Sequence, residues 1–271
     1  MAKRTREIAQ ANGRDDLTIT VGCLAGCTRD IIDQTKTAYQ SGADAALVLV
    51  PSVFHWAINQ QAFVDFFLEV ADHSPIPVMI YNFPGLTGGL DANSDMLQTL
   101  SAHKNISGVK LTCGGIGKIT RIAALNSPNE FVAIAGQSDV LVPALSAGAS
   151  GCISGVANLF PKVISGLPQG SKHRLLMCGV QVLVEIYHLY TSGQIPAAIE
   201  LQTKLGVPEW GISSSDVSGM KWIIAHERGY PETSAHCRRP FPKYSDPEKK
   251  ARSKKMVSTL IPVENQLQSK K

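Results

Sequence analysis

The sequence predicts an α/β protein of the (β/α)8 barrel type, with parallel strands alternating with helices and a helical extension at the C-terminal end. Two observations predict it. Short apolar runs rich in Val, Ile and Ala recur at intervals of about 20–30 residues, each followed by a segment of helical periodicity. Polar residues of a catalytic type then punctuate the ends of several runs: Tyr81-Asn82, Lys110, Gln137-Ser138-Asp139, and Ser154 followed by Asn158. Strands apolar on both faces need helices over the sheet, in a doubly wound or a closed arrangement. The punctuation favours the barrel, where the C-terminal strand ends meet at one mouth.

Taken in order, Ala2–Asn12 reads as a helix, and Leu17–Gly22, Ala45–Pro51, Pro77–Tyr81, Ile106–Leu111, Phe131–Ala135 and Gly151–Ser154 read as strands. Between them Arg29–Ser41, Gln60–His73, Asn93–His103, Ile116–Leu125 and Val140–Ala147 read as helices, with Gly42 as a helix stop and Asp91 or Asn93 as an N-cap. Further on, Val184–Tyr190, Ile195–Leu205 and Val217–Glu227 carry helical periodicity, and no strand is predicted there. Six βα units make three quarters of a barrel, so the expectation is a barrel lacking its first two units.

The resulting division is a partial barrel over 1–163, an insertion over 164–182, C-terminal helices over 183–237 and a basic tail over 238–271. Gly166, Pro168 and Gly170 break an expected helix after Lys162-Val163, and joining that point to Val184 would give one amphipathic helix. The segment between reads as an insertion or a translated retained intron.

The 271 residues are 44% hydrophobic and 18% charged, and the mean hydropathy of +0.02 is that of an ordinary globular chain rather than a disordered one. The net charge of +4 conceals an asymmetry: residues 1–237 hold 16 Lys/Arg against 19 Asp/Glu, whereas 238–271 hold 10 against 3. The tail's lysines lack interleaved aromatics, so it is expected to be a solvated helix and nucleic acid is not expected as a partner. No apolar run reaches the roughly 18 residues of a membrane span. Six scattered cysteines (Cys23, Cys27, Cys113, Cys152, Cys178 and Cys237) with no secretory pattern before them predict reduced thiols and a cytoplasmic location. The pair Cys23 and Cys27 has no second ligand pair at zinc spacing, so no metal is expected.

Lys110 ends an apolar strand, Ile106-Ser107-Gly108-Val109-Lys110-Leu111. An isolated strand lysine usually snorkels or pairs with an acid. Desolvation, however, favours the neutral amine, which is the form that attacks a carbonyl to make a Schiff base. Tyr81 ends the preceding strand 29 residues earlier, so one βα step sets the two side chains on neighbouring strands, where a phenol can relay protons at an imine. Gly114-Gly115-Ile116-Gly117-Lys118 is not a phosphate loop, because Thr112 and Ile119 stand where Gly and Ser/Thr are needed.

Tyr81-Asn82-Phe83-Pro84, Gly108-Val109-Lys110, Gly136-Gln137-Ser138-Asp139 and Gly151-Cys152-Ile153-Ser154-Gly155-Val156-Ala157-Asn158, in this order and spacing, resemble the dihydrodipicolinate synthase / N-acetylneuraminate lyase family. The resemblance implies a TIM barrel with C-terminal helices and metal-free, cofactor-free class I lyase chemistry, in which pyruvate or another 2-oxo acid is held as an imine and an aldehyde is the second partner. By the same resemblance Lys110 is the Schiff-base lysine and Tyr81 the proton-shuttling tyrosine. The resemblance also implies that Ile153 flanks the bound pyruvate with its backbone and that Gly151 and Ser154 lie beside it. It further implies that Asn82, Pro84 and Gly136 shape the strand ends and that the assembly is a homo-oligomer.

Two departures bear on the substrate and the activity. Leu86 stands where bacterial dihydrodipicolinate synthases resemble one another in an arginine that holds a dicarboxylate. The family's Gly-x-Thr/Ser-Gly-Glu segment has no counterpart, since Met1 falls within what looks like the second helix. The expected activity is therefore that of a fungal-type 2-oxo-3-deoxy sugar-acid or 4-hydroxy-2-oxoglutarate aldolase. Dihydrodipicolinate synthase, and a catalytically impaired relative serving in binding or assembly, are the rival readings.

Overall fold

The computed structural model describes residues 1–159 and 181–269. They fall into two compact units, one of residues 1–136 with 147–150, the other of residues 137–146, 151–159 and 181–269.

The first unit opens with α1 (Ala2–Ala11), which Arg6 ties to the chain entering the sheet. Its guanidinium donates to Gly42 O at 3.0 and 3.2 Å and to Leu17 O at 2.8 Å, and meets Asp44 at 2.5 Å. Asp44 also accepts from Ile19 N at 2.6 Å, so one carboxyl group joins α1 to the chain entering the first two strands. The strands are β1 (Thr20–Cys23), β2 (Ala45–Leu49), β3 (Val78–Asn82), β4 (Ile106–Leu111) and β5 (Val132–Ala135). Each pairs in parallel with its successor, giving the spatial order β1-β2-β3-β4-β5.

That order decides between the two architectures left open by strand composition. Parallel crossovers are right-handed, so a sheet that always adds its next strand on the same side carries all its helices on one face. A doubly wound sheet reverses direction and covers both faces. No reversal occurs among the described strands, and the connecting helices α2 (Thr28–Gln40), α3 (Gln60–His73), α4 (Ser94–Ser101) and α5 (Ile116–Leu125) follow the singly wound pattern of a barrel wall.

Alternation along each strand sorts the side chains. Ala46, Val48, Val78, Ile80 and Val109 are fully buried and belong to one face; Leu49, Tyr81, Lys110 and Ile134 form a register row on the other. The helices contribute Ile31, Phe67, Leu97 and Leu100, all with no exposed surface, each worth roughly 2 kcal/mol of apolar burial. Local chemistry fixes the helix ends. Asn59 and Asn93 cap α3 and α4 by accepting from Ala62 N and Met96 N at 2.9 Å, and Gly42 takes a positive φ of 83° after α2.

The second unit contains 3-10 turns at Ser138–Val140, Gly155–Asn158 and Glu232–Ala235, and helices α6 (Leu141–Ser146), α7 (Gln181–Thr191), α8 (Ile195–Ser213), α9 (Asp216–Glu227), α10 (Pro247–Ser258) and α11 (Ile261–Ser269). Three sequence expectations are corrected here. The strand foreseen at Gly151–Ser154 is reduced to an isolated bridge at Cys152. The helix foreseen to end at Leu205 continues to Ser213 despite Pro208, which is buried within it. The basic tail is not merely solvated: Ser253, Val257, Leu260 and Glu264 are buried, and Ser253 Oγ lies 2.7 Å from Ser215 Oγ and 2.8 Å from Tyr244 Oη. The expected insertion at 164–182 lies outside the described residues, apart from Gln181 and Val182, which open α7.

Candidate active site

Lys110 is the penultimate residue of β4 and only 8% exposed. Register pairs it with Tyr81 on β3, and its Nζ sits 4.0 Å from the centroid of the tyrosine ring. The ring in turn tilts against Phe83, with centroids 5.7 Å apart. Among the described residues no carboxyl group pairs with Nζ and no acceptor is in hydrogen-bonding position. The face of the ring lies against Nζ as a packing and cation–π surface and makes no hydrogen bond to it, so no acceptor ties up the nitrogen.

The surrounding motif residues explain themselves sterically. A Cβ at Gly108 would lie 2.4 Å from Val132 O, so the close approach of β4 and β5 demands glycine two residues before Lys110. A Cβ at Gly136 would lie 1.8 Å from Thr112 Oγ1, so β5 can end beside Thr112 only if that position has no side chain. Asn82 is buried and both ends of its carboxamide are bonded: Oδ1 accepts from Ala92 N at 2.9 Å and Nδ2 donates to Asp91 Oδ1 at 2.7 Å. Pro84 begins the 3-10 turn Pro84–Leu86, in which Leu86 is exposed.

Sequence reasoning passed over two neighbours. Thr112 Oγ1 is a buried hydroxyl with no partner among the described residues, just beyond the end of β4. Lys118, noted only as part of a failed phosphate-loop match, reaches Asp91 Oδ1 at 2.5 Å. The signal available for Lys118 was its place one turn into the helix after the Lys110 strand.

Gly151, Ile153 and Ser154 belong to the second unit, with Gly151 and Ser154 buried and Ile153 half-buried. There the Ser154 hydroxyl accepts from Val156 N at 3.3 Å and donates to Glu209 Oε2 at 2.7 Å. Ser138 Oγ donates to the same oxygen, and Ser213 Oγ to Glu209 Oε1 at 3.0 Å. Gln202 braces this cluster through Ser138 O at 2.9 Å and Val142 N at 3.0 Å. Glu209 was missed because it follows Gly206 and Pro208, where the helix was expected to have stopped. Burial first, and the Glu209 charge second, hold the neighbouring Asp139 carboxyl above the ordinary aspartate value.

Cys23, Cys27, Cys113 and Cys237 are free thiols, and burial pushes the Cys23 thiol up; Cys178 lies outside the described residues. No described helix is long and apolar enough to cross a membrane.

Comparison with known proteins places this geometry. The chain is 36% identical over 265 residues to the "Probable 4-hydroxy-2-oxoglutarate aldolase, mitochondrial" of Emericella nidulans, covering 98% of this chain and 78% of that one. It is 34% identical over 244 residues to the "L-threo-3-deoxy-hexylosonate aldolase" of Hypocrea jecorina, covering 88% and 70%. Its fold superposes with a TM-score of 0.76 and 33% identity on the crystal structure of a dihydrodipicolinate synthase family protein from Coccidioides immitis, over 93% of this chain and 75% of that one. That likeness accords with the singly wound sheet as part of a TIM-barrel fold. The sequence model of the dihydrodipicolinate synthetase family matches residues 1–173, a span that includes the Tyr81–Lys110 pair, and the chain therefore belongs to that family.

Proposed function

We propose that the protein is a class I lyase that cleaves or forms the C3–C4 bond of a 4-hydroxy-2-oxo acid, of the 4-hydroxy-2-oxoglutarate or 2-oxo-3-deoxy sugar-acid kind, with pyruvate carried as an imine on Lys110. The observation that carries this reading is the Lys110 amine, buried at the end of β4 against the Tyr81 ring and free of any acid partner among the described residues. The names of the fungal relatives support the substrate class. Leu86 in the place of the carboxylate-binding arginine disfavours the dihydrodipicolinate synthase alternative.

In the cleavage direction the amine adds to the C2 carbonyl and water leaves, forming the imine. Once protonated, the imine withdraws the electron pair of the C3–C4 bond, the C4 hydroxyl gives up its proton, and an aldehyde departs from the enamine that remains. Protonation at C3 and hydrolysis return pyruvate and the free amine. Tyr81 is assigned the proton transfers at the C4 oxygen, because it is the titratable side chain in register with Lys110. The family resemblance assigns pyruvate binding to Gly151, Ile153 and Ser154, which belong to the second unit, where the Ser154 hydroxyl is committed to Glu209. The working form is proposed to be a homo-oligomer.

The test is borohydride trapping. Pyruvate with borohydride should add a reduced pyruvyl group to Lys110, located by peptide mass spectrometry; a folded sample with no adduct there refutes the reading and leaves the binding or assembly role. Supplying glyoxylate, a sugar-derived aldehyde or aspartate semialdehyde to the pyruvate-loaded protein separates the three substrate classes.

A further inference from the structure

Three candidates outside the reacting pair stand out. The cavity of about 220 Å³ lined by Trp222, His226, Tyr230, Glu232 and Lys250 has its lysine held by Glu232 at 2.6 Å and its His226 ring stacked on Trp222, and nothing in the structure indicates a ligand for it. The loop carrying exposed Val53, Phe54 and Trp56 has no occupant indicated by the structure. The third candidate, the contact of Lys118 with Asp91, reaches back to the reacting pair through named bonds.

Tyr81 and Lys110 are neighbours across β3 and β4, each one residue short of its strand's end, with Asn82 and Leu111 the last pair of the ladder between them. Beyond Tyr81 the last supports are Thr112 N donating to Asn82 O at 2.9 Å and the Asn82 carboxamide, whose two bonds reach ahead to the loop at Asp91 and Ala92. Beyond Lys110 the chain runs through Leu111, Thr112 and Cys113 into α5, and Lys118 on the first turns of that helix comes back to the same loop. Asn82 Nδ2 and Lys118 Nζ converge on a single atom, Asp91 Oδ1, at 2.7 and 2.5 Å. Lys118 Nζ also lies 3.9 Å from Cys113 Sγ, so the strap touches the loop that leaves Lys110 as well as the helix. The result is a closed circuit: Tyr81, Asn82, Asp91, Lys118, Cys113 and the three residues back to Lys110.

We propose that Lys118, acting through Asp91 and Asn82, is a positioning residue that holds the Tyr81 ring against the Lys110 amine and so sets the proton-transfer geometry of the site. This rests on the Schiff-base reading above. The Lys118 side chain is 13% exposed and that of Asp91 43% exposed, and a partly exposed ion pair contributes little to global stability, so its removal is felt in geometry before it is felt in folding. Because small displacements at reacting atoms cost large factors in rate, the effect falls on kcat rather than on binding. Lys118→Met keeps the aliphatic stem and removes the charge; Lys118→Arg keeps the charge and the donor.

The experiment has two readouts on the full-length chain. The first is the NMR signal of the Lys110 ε-methylene in protein labelled at lysine Cε, assigned by its loss in Lys110→Ala. The Tyr81 ring should shift it upfield. In Lys118→Met the signal should move to the position of an ordinary lysine and in Lys118→Arg it should return, with the melting temperature of all three within a few degrees. The second is steady-state cleavage, where Lys118→Met should lower kcat about tenfold at unchanged KM, with rescue by arginine. An unshifted ε-methylene signal in the parent protein, no change in it in Lys118→Met, or a kcat loss that follows the melting temperature and is not rescued, overturns the proposal. If the methylene responds as expected while pyruvate is never trapped on Lys110, the strap positions the ring and the Schiff-base reading is what fails.

Discussion

The two units treat a buried ionisable side chain in opposite ways. In the helical unit Glu209 is 2% exposed and surrounded by donors: three serine hydroxyls reach its two oxygens, and the chain around it is braced by Gln202. In the sheet unit Lys110, 8% exposed, has an aromatic face and no acid among the described residues. Burying a charge is costly unless it is compensated, and the compensated group is the one whose removal hurts the fold. An uncompensated one has no such structural reason to be there. The contrast teaches that burial alone does not single out the residue proposed to react; burial without an acid partner does.

Substitutions can break that contrast. The largest effect is expected for Lys110→Met, which should abolish pyruvate trapping altogether while leaving the melting temperature equal to or above that of the parent, since no partner is orphaned; a drop of several degrees in calorimetry would show that Lys110 is structural after all. Tyr81→Phe should lower kcat by about a hundredfold while trapped adduct still forms, because the ring stays and only the phenol proton is lost. Glu209→Leu should cost about 3 kcal/mol in urea unfolding, from the hydroxyls left without an acceptor, with Glu209→Gln costing less. The smallest effect concerns Asp139. Its folded-state value is raised, so the protonated carboxyl suits the fold. The associated stability is present in full below the ordinary aspartate value of about 3.9 and is lost as pH rises through the folded value. Asp139→Asn should therefore raise stability at pH 7 by under about 1 kcal/mol and do less at pH 4, which paired thermal melts would show.

How much of this was legible beforehand follows from where the information lies. The strands of the sheet unit are short apolar runs set off by Gly, Pro and Asn, and α3 and α5 fall where their periodicity put them, at Gln60–His73 and Ile116–Leu125. The neighbourhood of Tyr81 and Lys110 was legible too, because one βα step carries the chain to the adjacent strand. The helical unit was harder. Gly206 and Pro208 advertise a helix end, yet α8 runs through them, with a Cβ at Gly211 only 2.7 Å from that of Met256 on α10. An interior proline costs about 3 kcal/mol in helix propensity, and here tertiary packing outweighs it. In α10 the lysines mask the side that packs, since the inward residues are small: Ser253 and Val257. The strap at Asp91 was invisible because its members lie 9 and 27 residues apart and converge only once the loops have folded.

The unbroken order of the strands bears on how the molecule forms. Paired residues lie only 24 to 32 positions apart, from Gly108 and Val132 to Ala46 and Val78, so each strand meets its partner as soon as one helix has been made. A chain wired this way closes loops of similar, moderate length at every step, each strand edge templating the next. The pairing of Tyr81 with Lys110 therefore draws only on the chain through β4 and on none of the helices around Glu209.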